Sequence, residues 1–197
     1  MKKIMVTFMT VAAMAGIQSC DTQTKRDSDC KSVSEVVVSN IMARRSIRKY
    51  TDKQIPRDTL DRIIECGLNA PNGMNAQSYE IRVVNDAAST AYLSENLHGL
   101  YKAPCYMFIA AKDNYDMSRI DVGLLSENIC LSACAYGIGS INLGQPVRAL
   151  KDNPEILAKL GFSEHHDICL VLALGYADET PEAKPRNKDR VKFITVE

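Results

Sequence analysis

The chain has 197 residues, 24 basic and 24 acidic side chains, a formal net charge of +0 and no Trp. That length favours one domain with room for a core, while the balanced charge and sparse aromatics exclude the basic surface and stacking platform of a nucleic-acid binder. Hydrophobic residues at 46% and charged residues at 24% are ordinary globular usage, so function has to be read from motifs.

Lys2 and Lys3 precede an apolar run over residues 4–17, broken only by Thr7, Thr10 and Gly16. The run is shorter than the roughly 20 residues that span a bilayer, so it reads as the apolar region of a signal peptide. It ends in Ile17-Gln18-Ser19-Cys20, which resembles the lipobox of bacterial lipoproteins. The resemblance implies loss of residues 1–19, lipidation of Cys20, and a lipid-anchored place in the bacterial cell envelope, on the periplasmic or outer-membrane side. A plain secretory signal with an incidental Cys, or a buried N-terminal helix, are the alternatives. Loss of Lys2 and Lys3 leaves 22 basic against 24 acidic residues, a weakly acidic chain. Residues 20–33 are polar and charge-dense, a composition that cannot offset its ordering entropy, and read as a flexible tether. The folded domain is expected over residues 34–197.

With Cys20 assigned to lipid and Cys30 to the tether, Cys66, Cys105, Cys130, Cys134 and Cys169 remain, all in apolar surroundings. Cys130 and Cys134 are four apart on an expected helix, which sets their Cβ atoms about 5–6 Å apart. A disulfide wants roughly 3.5–4.5 Å, so the pair is expected to stay reduced. No Cys or His spacing suits a metal.

A helix is expected from Ser34 to residue 44 or 45, with Val36, Val37, Ile41 and Met42 on it. A second follows Pro56, with Leu60, Ile63, Ile64 and Leu68 at helical spacing. Pro71-Asn72-Gly73 is turn chemistry. Residues 79–84 alternate as a strand, 87–97 suggest a helix, and 106–111 form an apolar strand of the kind covered on both faces. A long apolar helix is expected over 117–136, ended by Gly137 and Gly139, with a short strand over 140–143. Residues 154–160 read as helix, 168–174 as a buried strand, and 191–196 as an edge strand. Together these give a three-layer α+β domain with a mixed or antiparallel central sheet and one long central helix.

Three constellations carry chemistry. Arg44-Arg45-Ser46-Ile47-Arg48-Lys49-Tyr50 sets four cations and a hydroxyl within six positions. Guanidinium forks match phosphate oxygens, and a Ser hydroxyl adds a donor; a solvated basic helix end is the plainer alternative. Lys184-Pro185-Arg186 is a second cationic pair, either closing the same anion site or lying in a charged tail. Pro71, Asn72, Gly73 and Asn75, followed by Gln77-Ser78-Tyr79, offer amides and backbone N–H groups suited to a flat heteroaromatic ring, or simply a turn entering a strand. Gly137-Ile138-Gly139-Ser140-Ile141-Asn142-Leu143-Gly144 lacks the strand-before, helix-after order of a dinucleotide fingerprint; its glycines instead let backbone approach a ligand closely.

These four segments, in this order and over residues 36–186, resemble the FMN-dependent nitroreductase superfamily. The resemblance implies a homodimer with FMN in the interface, and the helix over 117–136 as the central dimer helix. It places Arg44, Arg45 and Ser46 on the phosphate and ribityl chain, Arg48 at the N1/O2 edge of the ring, and Lys184 and Arg186 completing the phosphate site. Pro71, Asn72, Gly73 and Asn75 of the partner would cover the ring, and Leu143 and Gly144 would bring backbone to the flavin N5. The implied activity passes hydride from NAD(P)H through the flavin to a small electron-poor acceptor, a nitroaromatic, quinone or enone, with no acid–base residue and no metal. His98, His165 and His166 lie outside every motif, in keeping with that chemistry. Family members often carry Gln-Pro-Trp where this chain has Gln77-Ser78-Tyr79, and the segment between residues 84 and 106 is short, so substrate specificity is left open. Related activities such as reductive dehalogenation, and a lipid-anchored binding protein without turnover, are the alternatives.

Overall fold

The computed structural model describes residues 31–196; the leader, Cys20 and Cys30 lie outside them. The described residues fall into two units, 31–36 and 37–196. In the first, the described part is Lys31, Ser32 and the opening turn of helix α1 (Val33–Ala43). Ser32 and Glu35 form a reciprocal cap: Glu35 N–H donates to Ser32 Oγ at 3.3 Å, and Ser32 N–H donates to Glu35 Oε2 at 2.8 Å.

The second unit is built on a four-stranded sheet of β1 (Tyr79–Val84), β2 (Cys105–Lys112), β3 (Gly139–Leu143) and β4 (His166–Gly175). The strand order is β1-β2-β4-β3 and every ladder is antiparallel, with Ile81 opposite Ile109 and Met107 opposite Leu172. Seven of the eight β2 residues are buried, as a central strand covered on both faces requires. Alternation then sorts the side chains. Cys105, Met107, Ile109, Leu172 and Leu174 face helices α2 (Arg57–Leu68) and α4 (Ser118–Ala135). Tyr106, Phe108, Val171 and Ala173 face α3 (Ala87–Asn96), α5 (Gln145–Lys151) and α6 (Pro154–Leu160). The domain is therefore α+β in three layers.

Leu60, Ile63 and Gly67 form the buried stripe of α2. At Gly67 an added Cβ would stand 2.5 Å from Ile129 Cγ1, so glycine there sets how closely α2 and α4 approach. The antiparallel form of the expected sheet is the one observed. One expectation changes: residues 191–196 form no strand, with Phe193 fully exposed, Ile194 at 80% and Val196 at 92%. Their alternation is real, but they pair with none of the four strands among the described residues. The cysteines at 66, 105, 130, 134 and 169 are free thiols.

Candidate functional site

The basic segment after α1 is pinned on both sides. Ser46 bridges Ser140 of β3, Ile47 N–H donates to Ser140 O at 3.1 Å, and Ile47 is buried. A Cβ on Gly139 would lie 2.6 Å from the Ile47 side chain, so the glycine expected to admit a ligand instead admits this segment. The Tyr50 hydroxyl donates to Ile47 O at 2.6 Å, and burial raises its pKa, keeping it a protonated donor. Thr51 N–H donates to Tyr176 O and Asp178 N–H to Lys49 O, so the chain leaving β4 runs alongside residues 49–51. Glu179 then accepts from Arg48 N–H and, at 3.2 Å, from Lys49 N–H.

This pairing delivers residues 181–186 to the basic segment. Arg44, Arg45, Ser46, Arg48, Lys184 and Arg186 line one cleft of about 390 Å³, with Ile41, Met42, Glu127 and Glu182. Five cations thus face two carboxylates, a donor set suited to a phosphate dianion. The cations are not equivalent. Arg45 Nη1 donates to Met42 O and Arg44 O, at 2.7 and 2.9 Å, which spends it on the carbonyl end of α1. Arg48 Nη1 donates to Ser46 O and Arg186 Nη1 to Lys184 O. Arg44 makes an ion pair, Nε to Glu127 Oε1 at 3.2 Å. Sequence reasoning missed Glu127. Its signal was a charged residue in the middle of a helix whose other charged side chains, Arg119 and Asp121, lie in its first turn.

Pro71, Asn72, Gly73 and Asn75 do not line that cleft. They form a turn held by the other acid of α4: Gly73 N–H donates to Asp121 Oδ1 at 3.1 Å, and Ser78 Oγ to Asp121 Oδ2 at 3.4 Å. Asp121 is 1% exposed. Asn72 Oδ1 accepts from Gln77 N–H at 3.0 Å, and Met74, Asn75 and Gln77 all have positive φ, a tight, costly backbone. Leu143 is buried, while Gly144 follows β3 in the open, where an added Cβ would meet nothing within 4 Å. Below β3, Cys130 Sγ lies 3.9 Å from Asn142 Oδ1, and burial pushes its thiol up to about 11. The histidines are engaged elsewhere, His98 with Gln145, His165 with Asp113 and His166 with Glu80.

Fold and site together define a three-layer α+β domain with a cationic, phosphate-suited cleft beside its short edge strand. The family model for the nitroreductase family matches residues 41–102. A proposed NADH dehydrogenase/NAD(P)H nitroreductase of Archaeoglobus fulgidus is 32% identical over 174 residues, covering 80% of this chain and 97% of that protein. The FMN reductase (NAD(P)H) of Bacillus subtilis is 27% identical over 172 residues, covering 76% and 69%. Among solved structures, a nitroreductase with bound FMN from Bacteroides fragilis superposes with a TM-score of 0.71 at 27% identity, covering 81% of this chain and 98% of that one. The chain belongs to the nitroreductase family.

Proposed function

We propose that the protein is an FMN-dependent oxidoreductase that takes hydride from NAD(P)H and passes it to an electron-poor acceptor such as a nitroaromatic, a quinone or an enone. The observation that carries this reading is the convergence of residues 44–48 and 184–186 on one cleft in a chain whose relatives are named nitroreductase and FMN reductase. The residues present fit the group. Arg44, Lys184 and Arg186, with the Ser46 hydroxyl, match a phosphate ester, and the open space at Gly144 leaves its backbone accessible to a ring.

When bound, FMN supplies the hydride relay at N5, so the protein's task is position and charge. Arg44, Ser46, Lys184 and Arg186 hold the phosphate, and Arg45 stiffens the segment by capping α1. Arg48 is assigned to the N1/O2 edge, where its charge favours the reduced ring. Leu143 and Gly144 present backbone to N5, while Pro71, Asn72, Gly73 and Asn75 close over the ring from a second subunit.

A homodimer belongs to the same reading. Val37, Val38, Ile41 and Met42 on α1, Ile120 and Leu124 on α4, and Phe193 and Ile194 in the tail are all exposed, apolar side chains that a second subunit would cover. The leader is part of the proposal too, with a mature chain starting at lipidated Cys20 and held at the cell envelope by that anchor; intact mass of the native protein tests it.

Anaerobic titration of the purified protein with NADH and NADPH tests the enzyme reading. A yellow protein whose flavin absorbance bleaches with either donor and returns on adding a nitroaromatic or quinone is expected. A colourless protein that takes up no FMN would leave the reading without support.

A further inference from the structure

Glu127 lies in the cleft with the cations rather than away from it. Its carboxylate meets Arg44 Nε at 3.2 Å, with the two side chains 46% and 26% exposed. The cleft thus holds a negative group of its own against one of the guanidiniums that line it. The contact is an ion pair made through Nε, and a guanidinium carries five N–H donors, so one carboxylate contact leaves capacity for a phosphate. Glu179 behaves differently. It sits on the backbone amides of Arg48 and Lys49, fixes the loop, and does not line the cleft.

We propose that Glu127 is an internal counter-ion that a phosphate replaces at Arg44, and that it sets how tightly the cleft holds a phosphorylated ligand. Without ligand, Glu127 compensates Arg44, so the arginine is neither left bare nor pulled onto a competing surface acid. When a phosphate dianion arrives, Arg44 exchanges a weak, half-exposed partner for a stronger one, and Glu127 turns to solvent at little cost. Its negative charge stays close enough to subtract from the attraction, within the screening length of about 8–10 Å. The acid therefore attenuates phosphate binding and leaves the unphosphorylated part of a ligand unaffected. This inference rests on the flavin reading only for the identity of the ligand; the exchange at Arg44 is independent of it.

The experiment compares wild type, Glu127→Gln and, as a control for net charge, Glu155→Gln, whose carboxylate pairs with Lys159 on α6 away from the cleft. FMN and riboflavin affinities are read by flavin fluorescence on apo-protein, and melting temperature is read with and without inorganic phosphate. Glu127→Gln should bind FMN about three- to tenfold more tightly, the range of a partly exposed charge pair plus relief of like-charge repulsion. Its riboflavin affinity should stay within about twofold, its melting temperature should rise more with phosphate than that of wild type, and Glu155→Gln should follow wild type throughout. Weaker or unchanged FMN and phosphate binding in Glu127→Gln would overturn the proposal, because Glu127 would then orient Arg44 or stand idle. A phosphate response that grows in Glu127→Gln while no variant takes up either flavin would uphold the counter-ion and defeat the flavin reading.

Discussion

Helix α4 carries two acids, and each ties down a different functional segment. Asp121, buried to 1% exposure, accepts two hydrogen bonds from the turn at residues 73–78. Glu127, nearly half-exposed, forms one ion pair with Arg44. Six positions on one helix separate a fixed anchor from a replaceable partner, and burial makes the difference. A carboxylate cut off from water has nothing to exchange its donors for. One at the surface trades partners cheaply. The turn is therefore built to keep its shape, and the cleft to change its occupant.

The largest effect should come from breaking the anchor. Asp121→Ala leaves Gly73 N–H and Ser78 Oγ without their acceptor and should cost about 2–4 kcal/mol in urea unfolding, whereas Glu127→Ala should cost less than about 1 kcal/mol. Equal losses would erase the distinction between the two acids.

Next is the cleft. Arg44→Ala should lose about 2 kcal/mol of FMN affinity, the low end for a paired charge because its side chain is 26% exposed. Arg186→Ala should lose less, and both should purify pale. Arg48→Ala should keep its flavin but accept hydride more slowly under anaerobic stopped flow. Normal occupancy in both Arg44→Ala and Arg186→Ala would remove the cleft's assignment.

Just past Glu127, at Ile129, α4 is pressed against Gly67 of α2. Gly67→Ala drives a Cβ toward Ile129 at 2.5 Å and should cost about 1–3 kcal/mol by thermal melt, shifting the beam that both acids stand on. The smallest effect concerns Cys130. Its folded-state pKa of about 11 lies above the ordinary 9.0, so the protonated thiol is favoured and its stabilising contribution is complete below pH 9. That contribution fades as pH rises through 11. At pH 8, iodoacetamide should label exposed Cys66 in the native protein and leave Cys130 untouched; mass spectrometry of the peptides checks it.

Most of the architecture was legible because its signals are local. The apolar run of β2, the helical spacing of Leu60 and Ile63, and the glycines closing α4 each depend on neighbours a few positions away, and the structure places elements there. Helix α5 went unread because seven residues opening on Gln145 and Pro146 hold too few turns to show a period. The alternation over residues 191–196 was read correctly as a pattern and wrongly as a strand of this sheet, since pairing depends on an available edge. At the site, the cations were visible from residue type, and their meeting in one cleft was expected from family likeness. The two acids of α4 were not visible as partners. Nothing in the sequence says that position 127 faces position 44, because that pairing is set by how α4 lies across the sheet.

The ribbon formed by residues 49–51 and 176–178 has a consequence for the timing of assembly. The cleft closes through contacts such as Glu179 to Arg48, 131 positions apart, after every strand of the sheet has been made. During synthesis, then, the sheet and both its helical layers can fold while the binding site is still half missing. A chain stopped just past β4 would possess the core and none of the downstream cations. On the proposed reading, the complete set of phosphate-binding cations exists only once residues 181–186 have been made and paired back onto residues 44–48.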